Sequence, residues 1–301
     1  DRFHPRTWWE SVRASQASVV HYLGVMPAML LGAAARDDDS THAVRFGFGA
    51  GVDPRQQAAF EARFGFPLLE AWAMTETGAG AVIIDHMEPR RVGQASFGRP
   101  APEVECRLVS EVGTDAAVGD AGELWVRAAG GDQRRGFFTE YLKDPAATAE
   151  AWAQGWFHTG DLVRRDADGK MYFVDRKKNV IRRSGENISA VEVESVLAQH
   201  PAVKAVAVAA TPDAVRGDEV LACVVLHGDD PSIHEVVARQ IVELALDQLA
   251  YFKAPGYVAF VDALPLTVSQ KIQRGQLKAL ARTLPGQPHC IDTQSLKKRR
   301  A

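Results

Sequence analysis

Cysteine is scarce in this sequence, and none of it is spaced for a structural role. Cys106, Cys223 and Cys290 are odd in number and far apart, with no Cys-x-x-Cys pair and no Cys/His spacing that holds zinc. Neither a disulfide framework nor a structural metal is expected, and a reducing, cytoplasmic setting follows. An excess of charge is also lacking. A formal net charge of -3 over 301 residues gives no field that would gather nucleic acid or anionic lipid over the whole surface. The one concentrated basic run, Lys297, Lys298, Arg299 and Arg300, reads as a solvated tail. No apolar run reaches the roughly 20 residues that a membrane-spanning helix needs. The longest, 19–35, is interrupted by His21 and Pro27 and reads as a strand running into a helix. No signal-peptide pattern opens the chain, and Asp1 is not an initiator methionine, so the natural start is expected elsewhere.

What is present is ample apolar material. At 46% hydrophobic residues, the chain can fill the cores of one or two globular domains. Residues 19–24, 43–48 and 66–69 read as strands, with a helix over 54–63, an α/β arrangement. From about Val92 to Val126 short strands separated by Gly and Pro, including 103–109 and 122–126, suggest a small barrel-like or folded β-subdomain. Asp168-Gly169 between apolar runs predicts a hairpin, because that dipeptide accepts positive φ. After Arg176 the texture becomes a compact α+β unit. Ser189 with Glu192, and Ser232 with Glu235, fit capping boxes at helix starts. The second helix should pack Ile233, Val236, Val237, Ile241, Leu244 and Leu249 on strands 203–209 and 220–226. The expected organisation is a large-domain portion over 1–175, a hinge at 176–178, a small domain over 179–285 and a tail over 286–301.

Gly47-Phe48-Gly49-Ala50-Gly51, followed by Glu70 about 20 residues on, invites a dinucleotide-binding reading. That reading fails on spacing. Pro54 stands where the third glycine should let helix and strand pack, and the helix has only about ten residues.

Four segments, in order, carry a more specific pattern. They are Glu70-Ala-Trp72-Ala-Met-Thr75-Glu76-Thr-Gly78; Gly155-Trp-Phe-His158-Thr159-Gly160-Asp161; Asp175-Arg176-Lys177-Lys178-Asn179 with Ser184-Gly185-Glu186-Asn187; and Pro265-Leu-Thr267-Val-Ser269-Gln270-Lys271-Ile272-Gln-Arg274. Together they resemble the motifs of the adenylate-forming superfamily, which includes acyl-CoA synthetases, firefly-type luciferases and peptide-synthetase adenylation domains. Residues 20–27 and Gln270 look like the crotonobetaine/carnitine-CoA ligase branch of that family.

The resemblance implies ATP, Mg²⁺ and CoA as reactants and cofactor, with a small carboxylic acid as substrate. Trp72 would lie against the adenine and Glu70 would accept from its amino group, Thr75 would contact the α-phosphate, and Glu76 would hold Mg²⁺, a hard cation that prefers carboxylate oxygen. Trp72 and Ala73 stand where the family usually has Tyr and Gly. Asp161 would accept from the ribose hydroxyls, Arg176 would face ribose and phosphate, Lys178 would be the hinge pivot, and Gly185 would line the channel for the pantetheine arm. Asn179 replaces the usual Asp. Lys271 would neutralise charge on the α-phosphate and the attacking carboxylate. His21 and the small-residue loop Gly49, Ala50 and Gly51 would shape the acyl pocket; Tyr22 and Met26 would either join them or pack in the core. The family also places a Ser/Thr/Gly-rich loop ending in lysine upstream of these segments, and the sequence has none there, so adenylation by the chain alone is expected to fail. Transfer to a carrier-protein pantetheine or an amine, and a noncatalytic nucleotide-binding module, stay open beside the CoA reading, as does the oligomeric state.

Overall fold

A computed structural model describes residues 3–228, 230–267 and 271–297. The chain forms two compact units, 1–173 and 174–301.

The first unit contains two sheets. In one, β1 (Val19–Leu23), β2 (Phe46–Ala50) and β3 (Leu68–Trp72) run parallel, and β4 (Ile83–Ile84) pairs antiparallel with β3. Helices α1 (Pro5–Ala14), α2 (Val25–Leu31) and α3 (Pro54–Phe64) belong to this half. Val12, Val20, Leu30, Phe60, Phe64 and Leu68 share its core. Helix α3 starts where the sequence signals it: Asp53 accepts from the Arg55 N–H, Pro54 occupies the first turn, and Gly65 closes the helix at φ 77°. Strands β2 and β3 lie further along the chain than their apolar runs suggest. The glycines at 47 and 49 stay in the ladder, because β2 must approach its neighbours closely.

The second sheet has the order β5 (Ser96–Gly98), β9 (Met171–Arg176), β8 (Phe157–Arg165), β7 (Ala121–Ala128), β6 (Val104–Val109). It is an open five-stranded sheet, so the barrel-like expectation reduces to a folded sheet. Strand β8 alternates buried and half-buried positions, which turns Phe157, Thr159, Asp161 and Val163 inward together. The short helix α4 (Pro145–Ala151) is capped by Asp144.

The second unit is built on β11 (Glu186–Ile188), β10 (Ile181–Arg183), β13 (Gly217–Leu226), β14 (Tyr257–Phe260) and β15 (Cys290–Asp292), with β12 (Val203–Asp213) also pairing β13. Helices α5 (Ala190–Leu197) and α6 (His234–Gln248) share one core with Val208, Val220, Ala222, Val224 and Val258. The alternate positions Ala207, Ala209, Leu221, Cys223 and Ala259 pack with α7 (Arg274–Ala281) instead. Coverage of both faces explains why β13 reads as a continuous apolar run.

Three expectations change here. Ser189 caps α5 by accepting from the Glu192 N–H, but Ser232 does not cap α6: Asp230 accepts from the Ser232 N–H and starts a short 3-10 turn first. Helix α6 buries Val237, Ala238, Ile241, Val242 and Ala245, while Val236 is exposed, so its inward face is rotated from the one expected. The segment after 286 is not simply a solvated tail. It supplies β15, buries Thr293 and buries the Lys297 side chain, because Glu219 offers that ammonium a buried carboxylate. Residues 298–301 lie outside the described residues.

Candidate functional site

The first cluster follows from strand register. Tyr22, Gly49 and Glu70 are partners on three adjacent strands, so their side chains lie on one face of the sheet. Gly49 has no side chain between the other two, and a Cβ there would collide with the Tyr22 ring and carbonyl. Tyr22 Oη donates across it to Glu70 Oε1 at 2.5 Å. The Gly51 N–H donates to Glu70 Oε2 at 2.9 Å, and the Val52 N–H to Oε1 at 3.2 Å. Glu70 thus uses three of its roughly four acceptor positions on its own fold. Burial pushes its carboxyl above the ordinary range, against the three donors, and burial beside Glu70 pushes the Tyr22 hydroxyl far up. These glycines serve close approach, with no nucleotide fingerprint required.

His21 lies on the opposite face and is exposed, with its ring 5.9 Å from that of its register partner Phe48. Ala50 and Gly51 are also exposed at the end of β2. Of the acyl-pocket candidates, Ala50 and Gly51 lie at the C-terminal end of a parallel strand, where ligands of open α/β sheets collect, whereas His21 is in the middle of β1 on the face opposite Gly49.

The second cluster joins two motifs that are distant in sequence. Trp72 Nε1–H donates to Asp161 Oδ2 at 2.9 Å, across 89 positions. Trp72 is 5% exposed and Asp161 3%, in a core that includes Ile83 and Phe97. Asp161 is held from its own strand as well: its N–H donates to Thr159 Oγ1 at 3.1 Å, and that hydroxyl donates to Leu124 O at 2.6 Å.

Between these anchors the loop after Trp72 exposes Thr75 and half-buries Glu76. Its shape is set by Thr77, which is fully buried, accepts from the Met74 N–H and lies 2.9 Å from Ala81 O. The N–H groups of Ala79 and Gly80 both donate to Gly136 O at 3.1 Å, so a second loop supports the first. Tyr141 Oη donates to Glu76 Oε1 at 3.1 Å. Thr77 lies within the first motif segment but was given no role there, and Tyr141 was marked by no sequence signal, since an isolated hydroxyl announces no partner 65 positions away.

Among the described residues no group of three or more His, Cys, Asp or Glu side chains could hold a metal ion. Glu76 alone fits Mg²⁺ whose remaining ligands are phosphate and water oxygens, the way Mg²⁺ is usually bound beside nucleotides. The Tyr141 contact is made to Oε1, one of the two Glu76 carboxylate oxygens.

The second unit carries the remaining candidates. Asp175 is fully buried and takes hydrogen bonds from Ser189 Oγ at 2.9 Å, the Val191 N–H at 3.3 Å and the Arg176 N–H at 2.6 Å. That fixes the start of a short 3-10 turn, Lys177–Asn179, on which Lys178 is exposed, as is the preceding Arg176. Asn179 Nδ2 donates to Asp175 Oδ1 at 3.4 Å. Gly185 lies at the tip of the β10–β11 hairpin. Ser184 and Gly185 both have positive φ, 51° and 87°, the conformation of a tight two-residue turn, and space beside Gly185 is open.

Lys271 is exposed on a second hairpin-like loop. Its N–H donates to Thr267 Oγ1 at 3.0 Å, the Thr267 N–H donates to Lys271 O at 2.8 Å, and the Gln273 N–H donates to Pro265 O at 2.8 Å. Arg274 anchors this loop by a two-pronged pair to Glu194, at 2.5 and 2.8 Å, and by a donation to Val208 O. Val268, Ser269 and Gln270 lie outside the described residues.

Comparison with known proteins agrees with the motif pattern. The family model described as AMP-binding enzyme matches residues 1–133, and the one described as AMP-binding enzyme C-terminal domain matches 192–271. The crotonobetaine/carnitine-CoA ligase of Citrobacter koseri is 32% identical over 280 residues, 92% of this chain and 52% of that protein. An amide bond synthetase from Marinactinospora thermotolerans aligns with TM-score 0.75 and 27% identity, over 93% of this chain and 56% of its own. The o-succinylbenzoate CoA synthetase of Bacillus subtilis, solved with its acyl-adenylate intermediate, gives TM-score 0.76 and 26% identity over 92% of this chain and 54% of its own. The chain spans about half the length of these relatives.

Proposed function

Since the chain belongs to the AMP-binding, adenylate-forming enzyme family, we propose that it carries the adenylate-facing loops and the small domain of an ATP-dependent carboxylate-CoA ligase. The observation that carries this reading is the Trp72–Asp161 hydrogen bond, a buried contact that ties the strand leading into the Thr75-Glu76 loop to the Thr159-Gly160-Asp161 strand.

In the first step a carboxylate oxygen attacks the α-phosphorus of ATP and pyrophosphate leaves. In the second a thiol sulfur attacks the acyl carbonyl and AMP leaves, its phosphate taking the bonding electrons while the thiol proton passes to solvent or phosphate. Neither step needs a protein nucleophile; position and charge supply the catalysis. Asp161 accepts from the ribose hydroxyls, Thr75 donates to the α-phosphate, and the Glu70 clamp keeps the 49–52 backbone open beside the acyl group. Mg²⁺, when bound at Glu76, would offset phosphate charge. Lys271 serves the first step and the Gly185 turn the second, with Lys178 as pivot and Arg176 toward ribose and phosphate. On this reading the small domain begins just after the pivot.

The first lysine of the chain is Lys143, so nothing before Glu70 can act as the lysine-ended phosphate loop. Adenylation is therefore proposed only where such a loop is supplied, and the test begins at the intermediate. Acyl-AMP and CoA are given to the 301-residue chain and thioester is followed by mass spectrometry; failure to bind either AMP or an acyl-adenylate analogue would sink the reading. The likeness to an amide bond synthetase supports an amine acceptor as a second reading. Competition between CoA and a primary amine for the same acyl-AMP separates the two.

A further inference from the structure

The segment expected as a solvated tail ends on a buried charge cluster. Beyond β15, the Thr293 N–H donates to Gly256 O at 2.9 Å and its hydroxyl to Pro255 O at 2.9 Å. Gln294 Nε2 donates to Tyr257 Oη at 2.7 Å. The chain then turns, and Lys297 Nζ donates to Glu219 Oε1 at 2.5 Å, with 2% of the lysine side chain exposed and none of the glutamate's. Glu219 Oε2 accepts from Arg183 Nε at 2.8 Å. Gly256 leaves room for this glutamate, since a Cβ there would press on its side chain.

Arg183 is the last residue of β10, directly before the Ser184-Gly185 turn. The same turn is tied to the start of β13: the Ser184 N–H donates to Arg216 O at 2.9 Å, and the Arg182 N–H to Asp218 Oδ2 at 3.1 Å. Glu219 therefore joins the C-terminal segment to the hairpin, accepting from Lys297 on one side and from Arg183 on the other.

We propose that residues 290–297 form a strap that positions the Ser184-Gly185 turn, with Lys297 fixing Glu219 and Glu219 fixing Arg183. Glu219 and Lys297 are positioning residues here, acting through Arg183. That the turn faces the thiol rests on the function proposed above; the existence of the strap does not.

The cluster carries more positive than negative charge. Glu219 faces Lys297 together with Arg183, and Arg216 adds its field while pairing with Asp213 at 3.5 Å. Burial first, then these two arginines, push the Lys297 ammonium down to about 8, against the pull of Glu219. Undocked, it would titrate near its ordinary 10.5. The docked strap holds its proton less tightly than the released one, so docking strengthens as pH rises, opposite to a simple surface ion pair. For those two values the gain between about pH 7 and pH 9 is about tenfold in the docking equilibrium.

Amide hydrogen exchange at Ser184 and Thr293, corrected for the intrinsic rate, tests this directly. Protection at both should rise by up to about tenfold between about pH 7 and pH 9 in the wild type. Lys297→Met should remove that pH response and speed exchange at Ser184 by about tenfold, the loss of one charged hydrogen bond. With supplied acyl-AMP, the same variant should raise the KM for CoA more than it lowers kcat. Flat wild-type protection across this pH range overturns the proposal even if the variant does not fold. Uniform acceleration of exchange across the whole second unit in Lys297→Met also overturns it, because that is loss of stability and not of position. Absence of thioester from the wild type would overturn the ligase reading alone, leaving the exchange result to decide the strap.

Discussion

The Trp72–Asp161 contact can be isolated by a double-mutant cycle of Trp72→Phe, Asp161→Ala and the pair. Phenylalanine keeps an aromatic ring in the core with Ile83 and Phe97 but removes the indole N–H that reaches Asp161 Oδ2 at 2.9 Å. Both residues are at most 5% exposed, so water does not freely replace the lost donor. A hydrogen bond to a carboxylate in such a place contributes about 1.5–3 kcal/mol. Each single variant also loses packing, which the cycle cancels. Urea unfolding of the first unit should therefore give a coupling of about 2 kcal/mol between the two positions. Binding of AMP, followed by calorimetry, should respond differently. Asp161→Ala loses the ribose acceptor and should weaken binding by about tenfold or more. Trp72→Phe should weaken it less, because ribose hydroxyls can donate to the oxygen that the indole has left. A coupling below about 0.5 kcal/mol would show that the bond does not hold these motifs together. Equal loss of affinity in both single variants would remove Asp161 from the ribose.

Three further outcomes are expected. In an enzyme form that has the phosphate loop, Glu76→Gln should lower pyrophosphate release at limiting Mg²⁺ by about tenfold or more, since a neutral amide is a poorer ligand than a carboxylate; unchanged release would exclude Glu76 from the metal. In the same form Lys271→Ala should abolish adenylation yet spare thioester formation from supplied acyl-AMP, and Gly185→Leu should do the reverse; loss of the same half-reaction in both would refute their separate roles. Burial holds the Cys106 and Cys223 thiols up to about 12 from an ordinary 9.0, so the stability they confer is full below about pH 9 and is lost as pH rises toward 12. At pH 10.5 each would have cost roughly 2 kcal/mol, and Cys223→Ala should flatten part of the alkaline decline measured by denaturant unfolding.

The four motif segments were legible because each is local: residue type and spacing within a dozen positions carry the resemblance, and the family models match the stretches that hold the first segment and most of the fourth. Strands β12 and β13 were legible for the same reason, as apolar runs rich in Val and Ala. What escaped the sequence is pairing at a distance. Tyr141 reaches Glu76 across 65 positions, and Glu219 reaches Lys297 across 78. Lys297, at the head of a run of Lys and Arg, looks solvated until its buried carboxylate is found. Glu70 shows a different failure: the motif marks the residue, but only the register Tyr22–Gly49–Glu70 shows its carboxylate already engaged by its own fold. Ser232 was misread because Asp230, two positions earlier, is the better placed acceptor.

Strand β1 ends its sheet, pairing only with β2 among the described residues. Its outward positions Val19 and Leu23 are 45% and 37% exposed, and Val25 and Met29 of the following helix are each 44% exposed. An edge with apolar side chains on its open face and no lysine, proline or bulge to blunt it is a template for another strand. A preparation of these 301 residues alone is therefore a stickier object than its net charge suggests. Light scattering should rise with concentration, and a Val19→Lys change on that edge should restore a monodisperse solution while leaving the buried clusters at Glu70 and Asp161 untouched.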